Sequence, residues 1–212
     1  MPESATHSFP AEESYRRYLE GLLAGDRQKC SAVFQEWIES DKPPGEVYLK
    51  LVQRSLYEIG ELWERGKVSV ATEHLAAAIT ENLLNLVRSR QFVSSPSGKS
   101  VVVACVPNEY HQIGARLVAD HFELNGWRSF FLGANTPTRA LLSLIAEKPP
   151  DMIALSATMT FNLDALINQA TEIRAAIPEV PILVGGQAFG EAGRERAERS
   201  SRPPLPEVVR GP

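Results

Sequence analysis

The stretch Ser100-Val101-Val102-Val103-Ala104-Cys105-Val106-Pro107-Asn108-Glu109-Tyr110-His111-Gln112-Ile113-Gly114 decides how the chain is read. Its first seven residues form an apolar, valine-rich run, the pattern of a strand buried on both faces. The loop that follows sets His111 two residues past Glu109 and three before Gly114. An imidazole in such a loop can ligate a metal through one nitrogen while a carboxylate holds the other and orients the ring.

Downstream of this loop, strands and helices alternate. Strands are predicted from Val101 to Val106, Ser129 to Leu132, Met152 to Ser156 and Ile182 to Val184. Helices are predicted from Gln112 to Leu124, Thr138 to Glu147 and Leu163 to Ala176. The alternation implies a parallel, doubly wound, Rossmann-like (flavodoxin-like) sheet, whose ligand lies outside the carboxyl ends of the strands. The loops bearing His111, Ser156 with Thr158, and Gly185-Gly186 all fall at that edge, and three unusual loops on one edge are harder to obtain by chance than one. After Gln187 the pattern changes. Glu191 to Glu198 reads as a short charged helix, and the proline-rich run from Ser200 to Pro206 cannot be a central strand. A four-stranded core, or a fifth strand made otherwise, is expected, with residues 191–212 as a flexible tail.

Upstream, the period is helical throughout. Tyr15, Tyr18, Leu19, Leu22 and Leu23 mark a first amphipathic helix closed near Gly25. Asp26 can cap a second, carrying Cys30, Val33, Phe34, Trp37 and Ile38 and ended by Pro43-Pro44-Gly45. A third places Val47, Leu51, Val52, Leu56, Ile59 and Leu62 inward and stops at Gly66. Ser69 can cap a fourth that runs to about Phe92. Four helices with short loops read as a bundle over residues 12–92. Ser94 to Lys99 is a linker by composition, and an α/β domain occupies residues 100–190.

The bulk numbers exclude several classes. With 212 residues, 43% of them hydrophobic, the chain can build one large domain or two small ones. The formal net charge of −4 argues against direct nucleic-acid binding, which needs a basic stripe. The two cysteines, Cys30 and Cys105, show no metal spacing and no disulfide framework, which fits a reducing cytoplasm. Met1 to Glu13 has no apolar signal core, and no window approaches the roughly 20 apolar residues of a membrane span. A cytoplasmic protein with neither a nucleic-acid nor a membrane partner is expected. No GxGxxG or GxxxxGK[ST] follows any strand, which leaves a nucleotide-binding reading with little support.

Taken together, these pieces resemble the cobalamin-binding α/β domain, and the helical half resembles the cap of the CarH-type photoreceptors. The resemblance implies that His111 is the lower axial ligand to cobalt and that Glu109 accepts a hydrogen bond from the ring's other nitrogen. Tyr110, Gln112 and Ile113 would complete the cofactor loop, and Gly114 would let the next helix start close to the corrin. Ser156, Thr158, Gly185 and Gly186 would line a slot for the cofactor's nucleotide tail, the glycines giving room. Trp63, nine residues, then Glu73-His74 matches the helical cap over the upper face. By resemblance, Trp63 packs on the adenosyl group, Glu73 hydrogen-bonds it, and His74 lies near the cobalt–carbon bond. No side chain is assigned a catalytic role. The implied activity is adenosylcobalamin-dependent light sensing, in which photolysis changes domain packing, oligomer state or partner binding. The implied partners are a second copy of the chain and a transcription regulator or other effector.

The chain also departs from these families. Glu109 stands where the wider family has aspartate, and Glu64 stands where CarH-type proteins place a cobalt-capping histidine after the tryptophan. Only about a dozen polar residues precede the first helix, so no helix-turn-helix domain is expected and any transcriptional control would pass through a partner. A looser resemblance to stand-alone photocobilins admits biliverdin as a second ligand, with Cys30 and Cys105 as candidate attachment points. The competing reading is a corrinoid methyl carrier of a methyltransferase system, which has a similar length and the same order of bundle and sheet. Carriers have aspartate at the position of Glu109 and Lys-Asn after the glycine, where this chain has Ala115-Arg116.

Overall fold

The computed structural model describes residues 11–40, 42–91 and 95–190, apart from the side chains of residues 11, 44 and 87–91. His7, Ser94, the expected helix from Glu191 to Glu198 and the expected tail over 191–212 lie outside the described residues. The chain divides between Gln91 and Phe92 into two compact units.

The first unit is helical. It comprises α1 (Ala11–Ala24), α2 (Arg27–Glu39), a short α3 (Pro44–Glu46) that runs through a π-helical stretch (Val47–Gln53) into α4 (Arg54–Glu64), and α5 (Val70–Gln91). The ends are chemically specified. Gly25 closes α1 at φ 68°, and Asp26 caps α2 by accepting the Lys29 N–H at 3.0 Å. Gly66, at φ 64°, closes α4 by donating to the Trp63 carbonyl at 2.8 Å, while the Lys67 N–H reaches the Leu62 carbonyl at 2.8 Å. Ser69 opens α5 by accepting the Thr72 N–H at 3.1 Å. Tyr18, Leu22, Cys30, Val33, Phe34, Leu51, Val52, Ile79 and Leu84 fill the interior.

The π-helical stretch was not legible in the sequence, and it alters the inward face. Val47, Leu51, Val52 and Ile59 are buried as expected, but Leu56 and Leu62 are only half-buried. Ser55 takes the interior place instead, its hydroxyl donating to the Val52 carbonyl at 3.0 Å. A π turn holds more residues than an α turn, so the apolar stripe drifts in phase around the helix.

The second unit is a parallel sheet with helices on both faces. Its elements are β1 (Ser100–Cys105), α6 (Ile113–Leu124), β2 (Arg128–Gly133), α7 (Thr138–Glu147), β3 (Met152–Ser156), α8 (Leu163–Ala176) and β4 (Ile182–Gly185). Strand order is β2-β1-β3-β4, all parallel. Alternate β1 residues enter opposite layers. Val102 and Ala104 pack with Leu141, Leu155, Leu166 and Ile173 on one side. Val101, Val103 and Cys105 pack with Ala115 and Ala119 on the other. The register pairs Cys105 with Ser156 and Ser156 with Gly185. Three strands therefore end level, and their loops emerge side by side.

Candidate functional site

The level strand ends bring the β1 loop against the turn after β3. Glu109 turns its side chain inward and is fully buried. Its Oε1 accepts the His111 backbone N–H at 3.0 Å and lies 2.6 Å from His111 Nδ1. Its Oε2 accepts the Thr158 N–H at 2.8 Å, the Met159 N–H at 2.9 Å and the Asn162 side-chain amide at 3.0 Å. Burial by itself pushes this carboxyl up. The hydrogen bonds from the His111 ring, Met159, Asn162 and the His111 backbone outweigh it and hold the group at about 2. Glu109 is therefore a carboxylate at neutral pH.

An ionised acceptor at Nδ1 places a proton on that nitrogen and leaves Nε2 as the ring's ligating atom. The ring is 44% exposed at the sheet edge, beside a carboxylate with no exposure at all. An imidazole held through Nδ1 by a carboxylate on a hydrogen-bonded loop is chemically suited to ligate a metal through its other nitrogen.

The loop after β2 closes the frame. Asn135 donates its N–H to the Glu109 carbonyl at 2.7 Å, and its side-chain oxygen accepts the Asn108 N–H at 2.8 Å. The Asn162 amide also reaches the Asn108 carbonyl at 3.2 Å. Asn108 and Asn135 adopt φ of 67° and 47°, a region that asparagine tolerates better than most residues. None of these three asparagines is legible as a site residue in the sequence. Asn162 directly precedes α8, where asparagine reads as an ordinary cap, and nothing local to the sequence signals its burial.

The residues expected to meet the cofactor fall into different places. Tyr110 is 67% exposed beside His111. Ile113 is buried, because the first residue of α6 faces the interior of its unit. Gln112 accepts the Ala134 N–H at 3.0 Å and so ties the β1 loop to the end of β2. Thr158 contributes through its backbone, and Ser156 is buried at the end of β3. Gly114 and Gly185 face open space: a Cβ at either would meet nothing within 4 Å. Gly186 has a packing role of its own. At φ 111°, its Cβ position lies 2.2 Å from the Ala157 carbonyl oxygen, so packing inside the unit already demands a glycine there.

In the helical unit, Trp63 ends α4 and is 37% exposed, whereas Trp37 is core at 3%. Glu73 and His74 lie in the first turn of α5, with Glu73 Oε2 2.5 Å from His74 Nδ1. The His74 side chain is largely exposed and that of Glu73 mostly covered. Among the described residues no helix is long and apolar enough to cross a membrane.

Both units have counterparts among known proteins. A family model described as "B12 binding domain" matches residues 99–201, and a second of the same description matches residues 15–88. The HTH-type transcriptional repressor CarH of Myxococcus xanthus is 29% identical over 182 residues, covering 84% of this chain and 60% of the repressor. The chain thus spans less than two thirds of that relative's length. Trimethylamine corrinoid protein 1 of Methanosarcina acetivorans is 23% identical over 180 residues, 82% of this chain and 83% of that protein. The solved monomethylamine corrinoid protein of Methanosarcina barkeri shares the fold, with a TM-score of 0.74 at 14% identity over 87% of this chain and 89% of that one.

Proposed function

We propose that this chain, a CarH-like cobalamin-binding module, is a light sensor that carries adenosylcobalamin. The observation that carries the reading is the Glu109–His111 pair: a buried carboxylate, fixed by five donors, holds a partly exposed imidazole at the edge where α/β sheets bind ligands. The donor chemistry fits a corrinoid. His111 would hold cobalt through Nε2, and the open faces of Gly114 and Gly185 leave room on the same strand edge. Trp63 and Glu73 would meet the adenosyl group, and the partial exposure of Trp63 supports this, since part of its indole is left outside the core.

Bound adenosylcobalamin supplies a cobalt–carbon bond weak enough for visible light to break. The protein's part is positional. Glu109 keeps the His111 tautomer fixed, and the locked loop holds the ring in one place. Trp63 and Glu73 would lose their cover on illumination, and the helical unit would repack, altering an interface with a second copy or with a regulator. Biliverdin, if it binds, is held without a thioether in this reading. Cys30 and Cys105 are both buried, with thiols pushed up by that burial to about 11 and about 12, so neither offers a thiolate at neutral pH.

A second reading is a corrinoid methyl carrier. It is favoured by the mutual coverage with the trimethylamine corrinoid protein, 82% of this chain and 83% of that one. One experiment separates the two: absorption spectra with adenosylcobalamin in the dark and after green light, for wild type and His111→Ala. A base-off spectrum that needs His111 and bleaches in light establishes the sensor. A His111-dependent spectrum that light leaves unchanged, with methylcobalamin preferred, establishes the carrier.

A further inference from the structure

We infer that Phe161, with Tyr110, forms an aromatic rest for the corrin beside His111, so that Phe161 is a cofactor-retaining residue; this rests on the cobalamin reading above. The two most exposed large hydrophobic side chains among the described residues are Tyr110 at 67% and Phe161 at 64%. They come from different loops, and both adjoin the Glu109 latch. Tyr110 lies between Glu109 and His111 in the chain. Phe161 lies between Met159 and Asn162, which both donate to Glu109 Oε2, at 2.9 and 3.0 Å.

The turn that carries Phe161 is a 3-10 turn, Thr160–Asn162, closed by the Asn162 N–H on the Met159 carbonyl at 2.9 Å. On one side of Phe161 the Met159 backbone N–H, and on the other the Asn162 side-chain amide, tie this turn to the buried Glu109 carboxylate, which holds the turn that carries the ring at the sheet edge. Among the described residues neither ring takes part in an aromatic pair or a cation contact. Two exposed aromatic side chains, on loops that share the Glu109 latch with His111, match the composition of a small-molecule site, in which apolar walls supply area and a few polar groups supply orientation. A flat macrocycle seated on His111 Nε2 would cover the neighbouring loop residues. A second copy of the chain would have no reason to centre on that nitrogen.

The test is equilibrium dialysis of the full chain against hydroxocobalamin in the dark, read by visible absorbance, alongside the melting temperature of the ligand-free protein. Phe161→Ala is expected to bind roughly tenfold more weakly, as befits partial burial of a phenyl ring, with an unchanged ligand-free melting temperature because the ring is exposed. Phe161→Leu is expected to recover most of the affinity, and Leu49→Ala, which removes an exposed apolar side chain in the other unit, to leave it unchanged. Wild-type affinity in Phe161→Ala, with binding still abolished in His111→Ala, overturns this inference and leaves the cobalamin reading intact. A change in chain association without a change in affinity also overturns it, assigning the ring to a protein contact. Failure of the wild type to bind removes both.

Discussion

The side-chain amide of Asn162, in the turn after β3, donates to Oε2 of Glu109, in the loop after β1, at 3.0 Å. Fifty-three positions separate the two in sequence, and both are buried. This bond, with the backbone donors Thr158 and Met159, makes one rigid piece of two loops. The position of His111 is therefore a property of the sheet edge, with the β1 loop alone insufficient to set it.

Asn162→Ala removes the donor to both Glu109 Oε2 and the Asn108 carbonyl. Leaving buried acceptors short of a donor costs about 2 kcal/mol. Urea unfolding is expected to show the midpoint lowered accordingly, and Asn162→Asp, which sets a second carboxylate beside Glu109, is expected to lose more at neutral pH than at pH 4. Equal losses at both pH values contradict the assignment.

Glu109 also predicts a pH dependence. Its folded value is depressed from 4.5 to about 2, so the stability it contributes is fully present above about pH 4.5 and is lost as pH falls through about 2. The gap corresponds to ~3 kcal/mol. Glu109→Gln is expected to be less stable by up to that amount at pH 7, and the difference from wild type is expected to narrow as pH falls from 4.5 towards 2. Urea midpoints at pH 7, 4 and 3 for both proteins provide the check; a gap independent of pH speaks against the ionised latch.

The two adjacent glycines are predicted to behave differently. Gly186→Ala places a Cβ against the Ala157 carbonyl in a backbone region that L-residues avoid, with an expected cost of about 3 kcal/mol or more. Gly185→Ala meets nothing within 4 Å and is expected to change thermal stability by less than about 1 kcal/mol. If Gly185 borders the cofactor slot, its alanine variant will lower hydroxocobalamin affinity while melting like wild type.

The cysteines are expected to resist alkylation. With Cys30 and Cys105 buried and their thiols at about 11 and about 12, iodoacetamide at pH 8 should leave the native protein unmodified by mass spectrometry and label both after denaturation. Rapid native labelling of either contradicts the burial described above.

The sequence alone determined the elements and their order. Valine-rich runs, helical periods, Asp26, Gly66 and Ser69 specify structure through local chemistry, and the strands and helices of the second unit fall within a residue of their expected bounds. The Glu109–His111 spacing was equally legible, because both residues share one loop. The phase of the helix through Val47–Gln53 was not, since a π turn changes the period on which the reading depends. Tertiary structure alone decided that Gly186 serves Ala157, that Gln112 ties two loops together, and that three asparagines complete the latch. Each of these depends on which loops the register Cys105–Ser156–Gly185 sets side by side. Proximity between residues fifty positions apart is created by strand pairing, and no local pattern in the chain encodes it.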